Sequence, residues 1–144
     1  MDPQREELAE RIHSLAIGML RRLRAAEGEP RLSGLRLSAL SSLLELGPSS
    51  VGRLAAKERV PAPTMSRQIT ALERAGWVSR QLPPEDGGRE HVKVTPSGIR
   101  ALEEARTRQV ERLADLLGEV DGEEREALIE AAGIVERALR QPVG

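Results

Sequence analysis

The stretch from Ser49 to Thr95 restricts the fold more than any other part of this 144-residue chain. It reads SSVGRLAAKERVPAPTMSRQITALERAGWVSRQLPPEDGGREHVKVT. Within it the apolar period changes from that of a helix to that of a strand, and the changes are punctuated by Pro and Gly. Few small architectures place two short helices directly before a hairpin.

Ser49 or Ser50 is suited to cap a helix over 51–58, with Val51, Leu54 and Ala55 on its apolar face. The connection Arg59-Val60-Pro61 leads into a second helix over 62–75. Pro61 and Pro63 are tolerated there because first-turn N–H groups have no helical partner to lose. Met65, Ile69 and Leu72 fall at i, i+4 and i+7. At about 100° per residue the opposite face carries Pro63, Arg67, Thr70 and Arg74. Gly76 follows as a helix stop. Residues 77–82 and 91–95 read as extended runs, the second alternating Val92 and Val94 with His91, Lys93 and Thr95. The intervening tip, Pro83 to Gly88, is rich in turn residues.

The flanks are helical. Leu8, Ile12, Leu15, Met19 and Leu23 recur at steps of 4, 3, 4 and 4 and predict a helix over 4–25. A second helix is expected over 36–46, with Leu40, Leu43 and Leu44 inward, Ser33 or Ser38 as cap, and Gly47-Pro48 as stop. Thr95-Pro96 opens a long helix to about Leu117, and Asp121 with Glu124 forms a capping box for a last helix. The expected fold is mainly α with a small β-hairpin wing: a winged helix-turn-helix flanked by long N- and C-terminal helices, the first of which can bury its stripe only against the C-terminal helices or another subunit. The expected division is 1–30 for the N-terminal helix, 31–97 for the winged lobe and 98–144 for the C-terminal helices.

Composition supports thin helical layers. The chain has one Trp and no Phe or Tyr, so Leu, Val, Ile and Ala must fill the core. It has no Cys, which excludes disulfides, thiolate chemistry and a thiol-oxidation switch. No apolar run approaches the roughly 18 residues of a membrane span. The polar, acidic start lacks the layout of a signal peptide. A cytoplasmic location without membrane association is expected. The net charge is only −1, but it is unevenly spread. Residues 1–30 carry 5 basic and 6 acidic side chains, residues 31–100 carry 11 and 6, and residues 101–144 carry 6 and 11. The basic middle is a phosphate-seeking patch that the bulk charge hides.

A helix with one apolar and one cationic, hydroxyl-bearing face suits the major groove of double-stranded DNA. Arg67 and Arg74 can reach phosphates or guanine, and Thr64 and Ser66 lie in the first turn. Arg53 and Lys57 on the preceding helix, and Arg80, Arg89 and Lys93 on the hairpin, are further phosphate candidates. Two His, His13 and His91, far apart in sequence, do not make a metal site. No nucleophile–base pair or phosphate loop is present, so neither an enzyme nor a cofactor is expected.

The segment Leu72-Glu73, Gly76-Trp77-Val78, Arg80, Asp86 and Thr95-Pro96-Ser97-Gly98 resembles the signature of the MarR family of winged-helix regulators, over nearly the whole chain. The resemblance implies a symmetric homodimer built on the first and last two helices, with operator binding by the fourth helix and the wing. It implies that Asp86 orients wing and recognition residues, locally through Arg80. It also implies a small-molecule effector pocket between the dimer helices and the DNA-binding lobe, with His13, Met19 and Arg36 near it. The family's wing arginine falls at position 88, which here is Gly88. Arg89 is its nearest replacement, and a regular strand would point it to the opposite face. The implied function is sequence-specific repression at a pseudo-palindromic operator. The alternative is a winged-helix protein–protein module without specific DNA binding.

Overall fold

The computed structural model describes residues 2–25, 31–32, 34–82 and 89–142. The chain divides into two compact units, residues 1–113 and 114–144. The first contains α1 (Pro3–Ala25), α2 (Leu35–Leu46), α3 (Val51–Glu58), α4 (Ala62–Arg74), β1 (Val78–Gln81), β2 (His91–Val94) and most of α5 (Pro96–Leu116). The second holds the end of α5 and α6 (Gly122–Leu139). The fold is mainly α with one antiparallel hairpin, as expected.

The core of the first unit joins Leu40 and Leu43 of α2, Leu54 of α3, Met65, Ile69 and Leu72 of α4, and Val78 and Val92 of the hairpin. Each fully buried Leu or Ile contributes about 1.5–3 kcal/mol relative to exposure. Trp77 is buried at the edge of this cluster. Leu44, expected inside, is 45% exposed, and Ala39 is buried instead. At about 100° per residue, Leu44 lies about 90° from the mean direction of Ala39, Leu40 and Leu43.

Helix ends follow local chemistry. Ser50 is the cap of α3, accepting from the Arg53 amide at 3.1 Å. Ser49 does something else. It is buried, exchanges two backbone hydrogen bonds with Val92 (3.0 and 2.8 Å), and donates its hydroxyl to the Gly47 carbonyl. It thereby adds a single bridging residue to the hairpin. Ser38 is not a cap: α2 starts after Gly34, which makes no side-chain cap bond. Ser38 and Ser42 instead both donate to Glu58 Oε1, at 2.6 and 2.8 Å, and tie α2 to α3. Ser33 lies outside the described residues.

α3 and α4 end alike. The amides of Arg59 and Val60 return to the carbonyls of Ala56 and Ala55, and those of Gly76 and Trp77 to Glu73 and Leu72. This is the 5→2, 6→1 closure of a Schellman motif. It needs a left-handed residue at the turn, and φ is +80° at Gly76 and +56° at Arg59. Glycine takes that conformation without penalty, whereas Arg59 holds it against a Cβ clash. Trp77 is spent on this closure and Thr95 on a cap. The strands are therefore shorter than the extended runs 77–82 and 91–95.

The hairpin pairs Val78 with Val94, Ser79 with Lys93, Arg80 with Val92 and Gln81 with His91. Thr95 fastens its end. The Thr95 hydroxyl donates to the Gly76 carbonyl at 2.7 Å and accepts from the Gly98 amide at 3.0 Å, while the Thr95 amide donates to Trp77 O. α5 thus begins on a capped turn with Pro96 first.

α1 is 23 residues long and none of its residues is buried. Leu8, Ile12, Leu15, Met19 and Leu20 are all at least 40% exposed. In the second unit, Asp121 and Glu124 form the expected capping box on α6. No residue of α6 is buried, and Leu128, Ile129, Ile134 and Leu139 are exposed.

Gly98 fixes how closely α5 approaches the hairpin. A Cβ there would lie 2.2 Å from Trp77 O and 2.8 Å from Val94 Cγ1. Gly98→Ala should therefore destabilise, because a clash of about 1–3 kcal/mol or more against backbone exceeds the roughly 1 kcal/mol gained in helix propensity. Gly52→Ala, which meets nothing within 4 Å in α3, is the control and should not destabilise. Urea unfolding at one fixed protein concentration checks both; an unchanged midpoint for Gly98→Ala contradicts the close approach.

Candidate nucleic-acid interface

α4 sits on its core through Met65, Ile69 and Leu72, each with no exposed surface. That seating decides what faces outward. Pro63, Arg67 and Arg74 are exposed, and Thr64, Ser66 and Thr70 are half-buried along the margins. Arg67 Nη2 lies 3.4 Å from Thr64 Oγ1, a weak contact within the outward face. The Thr70 hydroxyl is already used, donating to Ser66 O at 3.0 Å and accepting from Arg80 Nη2 at 3.1 Å. Of the expected α4 residues, Arg67 and Arg74 carry the accessible charge.

On α3, Arg53 is exposed beside the cap, and Lys57 pairs with Glu45 of α2. The hydrogen bond from Lys57, then its charge, holds the Glu45 carboxyl below the usual carboxylate range. Lys57 is thus partly occupied within the protein. Arg59 was not among the residues singled out in the sequence. It is an exposed cation at the turn into α4, held left-handed. Its only sequence signal is position: it fills the helix-turn-helix turn where glycine is usual.

The hairpin register assigns its side chains to faces, because alternate residues point oppositely. Val78, Arg80 and Val92 share the inner face, with Val78 and Val92 buried. Ser79 and Lys93 share the outer face, and Lys93 is exposed. Arg89 is exposed just before β2. Arg80, expected as a wing cation, instead turns toward α4. Its Nε is 3.4 Å from Glu73 Oε1 and its Nη1 3.6 Å from Glu90 Oε2. Asp86, Gly87 and Gly88, with the expected Asp86–Arg80 pair, lie outside the described residues.

The expected effector residues are not gathered into one site. His13 lines a shallow groove on α1 with Arg5, Glu6 and Glu10, and Met19 is exposed on the same helix. Arg36 donates from Nε to Gln68 Oε1 at 2.9 Å, tying α2 to α4. A different cavity of about 330 Å³ opens between Leu32, Trp77 and the first turns of α5. Ser97, Arg100, Glu104 and Arg108 line it. Arg108 Nε is buried there without a hydrogen-bond partner. The Arg31 guanidinium lies 5.3 Å from the Trp77 ring centroid. Among the described residues no group of three metal-ligating side chains occurs, and no helix is long and apolar enough to cross a membrane.

Helices α3 and α4 joined by a tight turn, followed by a hairpin that packs on α4, define a winged helix-turn-helix protein. A family model described as the MarR family matches residues 32–89. An uncharacterised HTH-type transcriptional regulator of Mycobacterium bovis is 37% identical over 123 residues, 85% of this chain and 86% of that protein. A MarR family protein from Bacillus stearothermophilus superposes with a TM-score of 0.82 at 23% identity, covering 98% of this chain and 99% of the other. Wild-type MarR from E. coli, in its apo form, gives a TM-score of 0.76 at 20% identity, covering 89% and 96%. The chain belongs to the MarR family.

The Glu45–Lys57 pair generates a pH prediction. A lowered folded pKa means stabilisation that is present above the unfolded carboxylate value and lost as pH falls through the folded one. Lys57→Met should raise the Glu45 carboxyl toward its ordinary value. It should also remove a small stability difference seen at neutral pH but not in acid. A carboxylate-resolved NMR titration checks this; an unmoved Glu45 in the variant contradicts the pairing.

Proposed function

We propose that the chain is a transcriptional repressor that binds a pseudo-palindromic operator as a homodimer. α4 enters the major groove and the hairpin follows the adjacent backbone. The observation that carries this reading is the division of α4 into a fully buried apolar face and an exposed face bearing Arg67 and Arg74. Cations at Arg53, Arg59, Arg89 and Lys93 extend the same chemistry to phosphates. A dimer is supported by α1 and, separately, by α6. Long helices with exposed apolar side chains and no buried residue are stable only when something covers them.

A small-molecule effector belongs to the same proposal. The cavity beside Trp77 suits an anion, since Arg100 and the unpartnered Arg108 Nε line it. An anion seated there would act by favouring one lobe placement over another. Trp77 is the single aromatic residue, so its emission reports occupancy directly.

Binding of a fluorescent duplex, selected by the wild-type chain from genomic fragments, tests the reading. Arg67→Ala should weaken binding by about 10- to 100-fold, the 1–3 kcal/mol of a lost base or phosphate contact. It should leave the sedimentation coefficient unchanged. Retained affinity would remove Arg67 from the interface. Failure of the wild-type chain to enrich any duplex at low salt would favour a protein–protein module.

A further inference from the structure

Among the described residues, Arg59 alone takes a positive φ without being glycine. At +56° its Cβ crowds the following carbonyl oxygen, a strain that glycine does not carry. The strain is imposed by the turn. The Arg59 amide donates to Ala56 O at 3.3 Å and the Val60 amide to Ala55 O at 3.1 Å, and this closure requires the left-handed conformation between them. The same closure recurs after α4, with Gly76 in the equivalent place. The backbone alone therefore does not account for an arginine. Strain of this kind gathers at functional sites, where the surrounding structure over-determines it.

The Arg59 guanidinium is exposed and has no hydrogen-bond or ion-pair partner among the described residues. Its charged neighbours are engaged elsewhere. Lys57 pairs with Glu45, and Glu58 accepts from Ser38 and Ser42. The start of α4, three residues on, is short of donors. A helix N-terminus ordinarily offers four free backbone N–H groups to an anion. Here the cap is Pro61 and the second helical residue is Pro63, so two of those four are missing, and no side chain caps the helix. The positive end of the helix dipole remains, and the full charge of Arg59 adds to it.

We propose that Arg59 is a phosphate ligand that supplies, at the start of α4, the donors its prolines withhold, and that it does so at a loss of fold stability. The proposal rests on the DNA-binding reading above and deepens it: one residue sets stability and affinity against each other. Phosphate contacts carry no base information, so Arg59 adds affinity without sequence preference.

The test uses the full-length chain, a fluorescent duplex selected by the wild-type protein from random sequence, and an unrelated duplex of equal length. Anisotropy titrations run from low to moderate salt. Thermal unfolding at one fixed protein concentration reads stability, and sedimentation confirms assembly. Arg59→Gly should raise the unfolding midpoint by on the order of 2–4 °C, because relief of the strain exceeds the entropy that glycine adds to the unfolded chain. It should bind both duplexes about tenfold more weakly at moderate salt. The slope of log K against log salt should flatten by about 0.9 for each lost phosphate contact, or about 1.8 for a homodimer that loses two. Arg59→Lys keeps both charge and strain, and should retain the wild-type midpoint and slope. A lower midpoint for Arg59→Gly contradicts the strain. An unchanged affinity or slope contradicts the phosphate contact, and weakening on the selected duplex alone makes Arg59 a base reader. Each of these results overturns the proposal, as does a flattened slope for Arg59→Lys. A wild-type chain that enriches no duplex overturns the DNA-binding reading itself, and this proposal with it.

Discussion

The winged helix-turn-helix depends on the seating of α4. Met65, Ile69 and Leu72 are fully buried against a layer that includes Leu40, Leu43, Leu54 and Val92. Three contacts on one face of a 13-residue helix fix its rotation about its own axis, and that rotation decides which residues meet solvent. A core without Phe or Tyr must be assembled from many aliphatic contacts rather than a few large ones. Polar ties supplement it at the rim: Glu58 holds Ser38 and Ser42, Arg36 holds Gln68, and Arg80 holds Thr70.

The order of the chain then converts one seated helix into a composite surface. The Schellman closure at Gly76 returns the backbone to Leu72 and delivers Trp77 into the core. Thr95 bonds back to Gly76 and caps α5 in the same few ångströms. The hairpin is thus tied at its base to the end of α4. Ser49 ties β2 to the start of α3 through its two backbone bonds to Val92. The cations of α3, α4 and the hairpin are carried on elements joined by short, saturated backbone connections. Such connections keep a multi-element binding surface in register.

Most of this architecture was legible in the sequence because it is written in local chemistry. Helix periods, the Gly76 stop, the Asp121–Glu124 capping box and the Thr95-Pro96 start each specify a boundary within a few residues. The failures were of another kind. Leu44 looked like core because it is Leu, but its angle on α2 turns it outward. Ser38 looked like a cap because it is Ser, but its partner Glu58 lies 20 residues away and cannot be read from spacing. That Arg80 shares a face with buried valines follows only from the register of β1 against β2. The left-handed Arg59 carries no compositional signal at all. Local rules give elements; the partners of polar side chains are set by packing.

As proposed, two copies of α4 enter successive major grooves of the operator. Hydroxyl-radical footprinting of the wild-type chain on a selected duplex should then show two symmetry-related protected regions whose centres are about one helical turn, roughly 34 Å, apart. A single protected region, or uniform protection along the duplex, would contradict it.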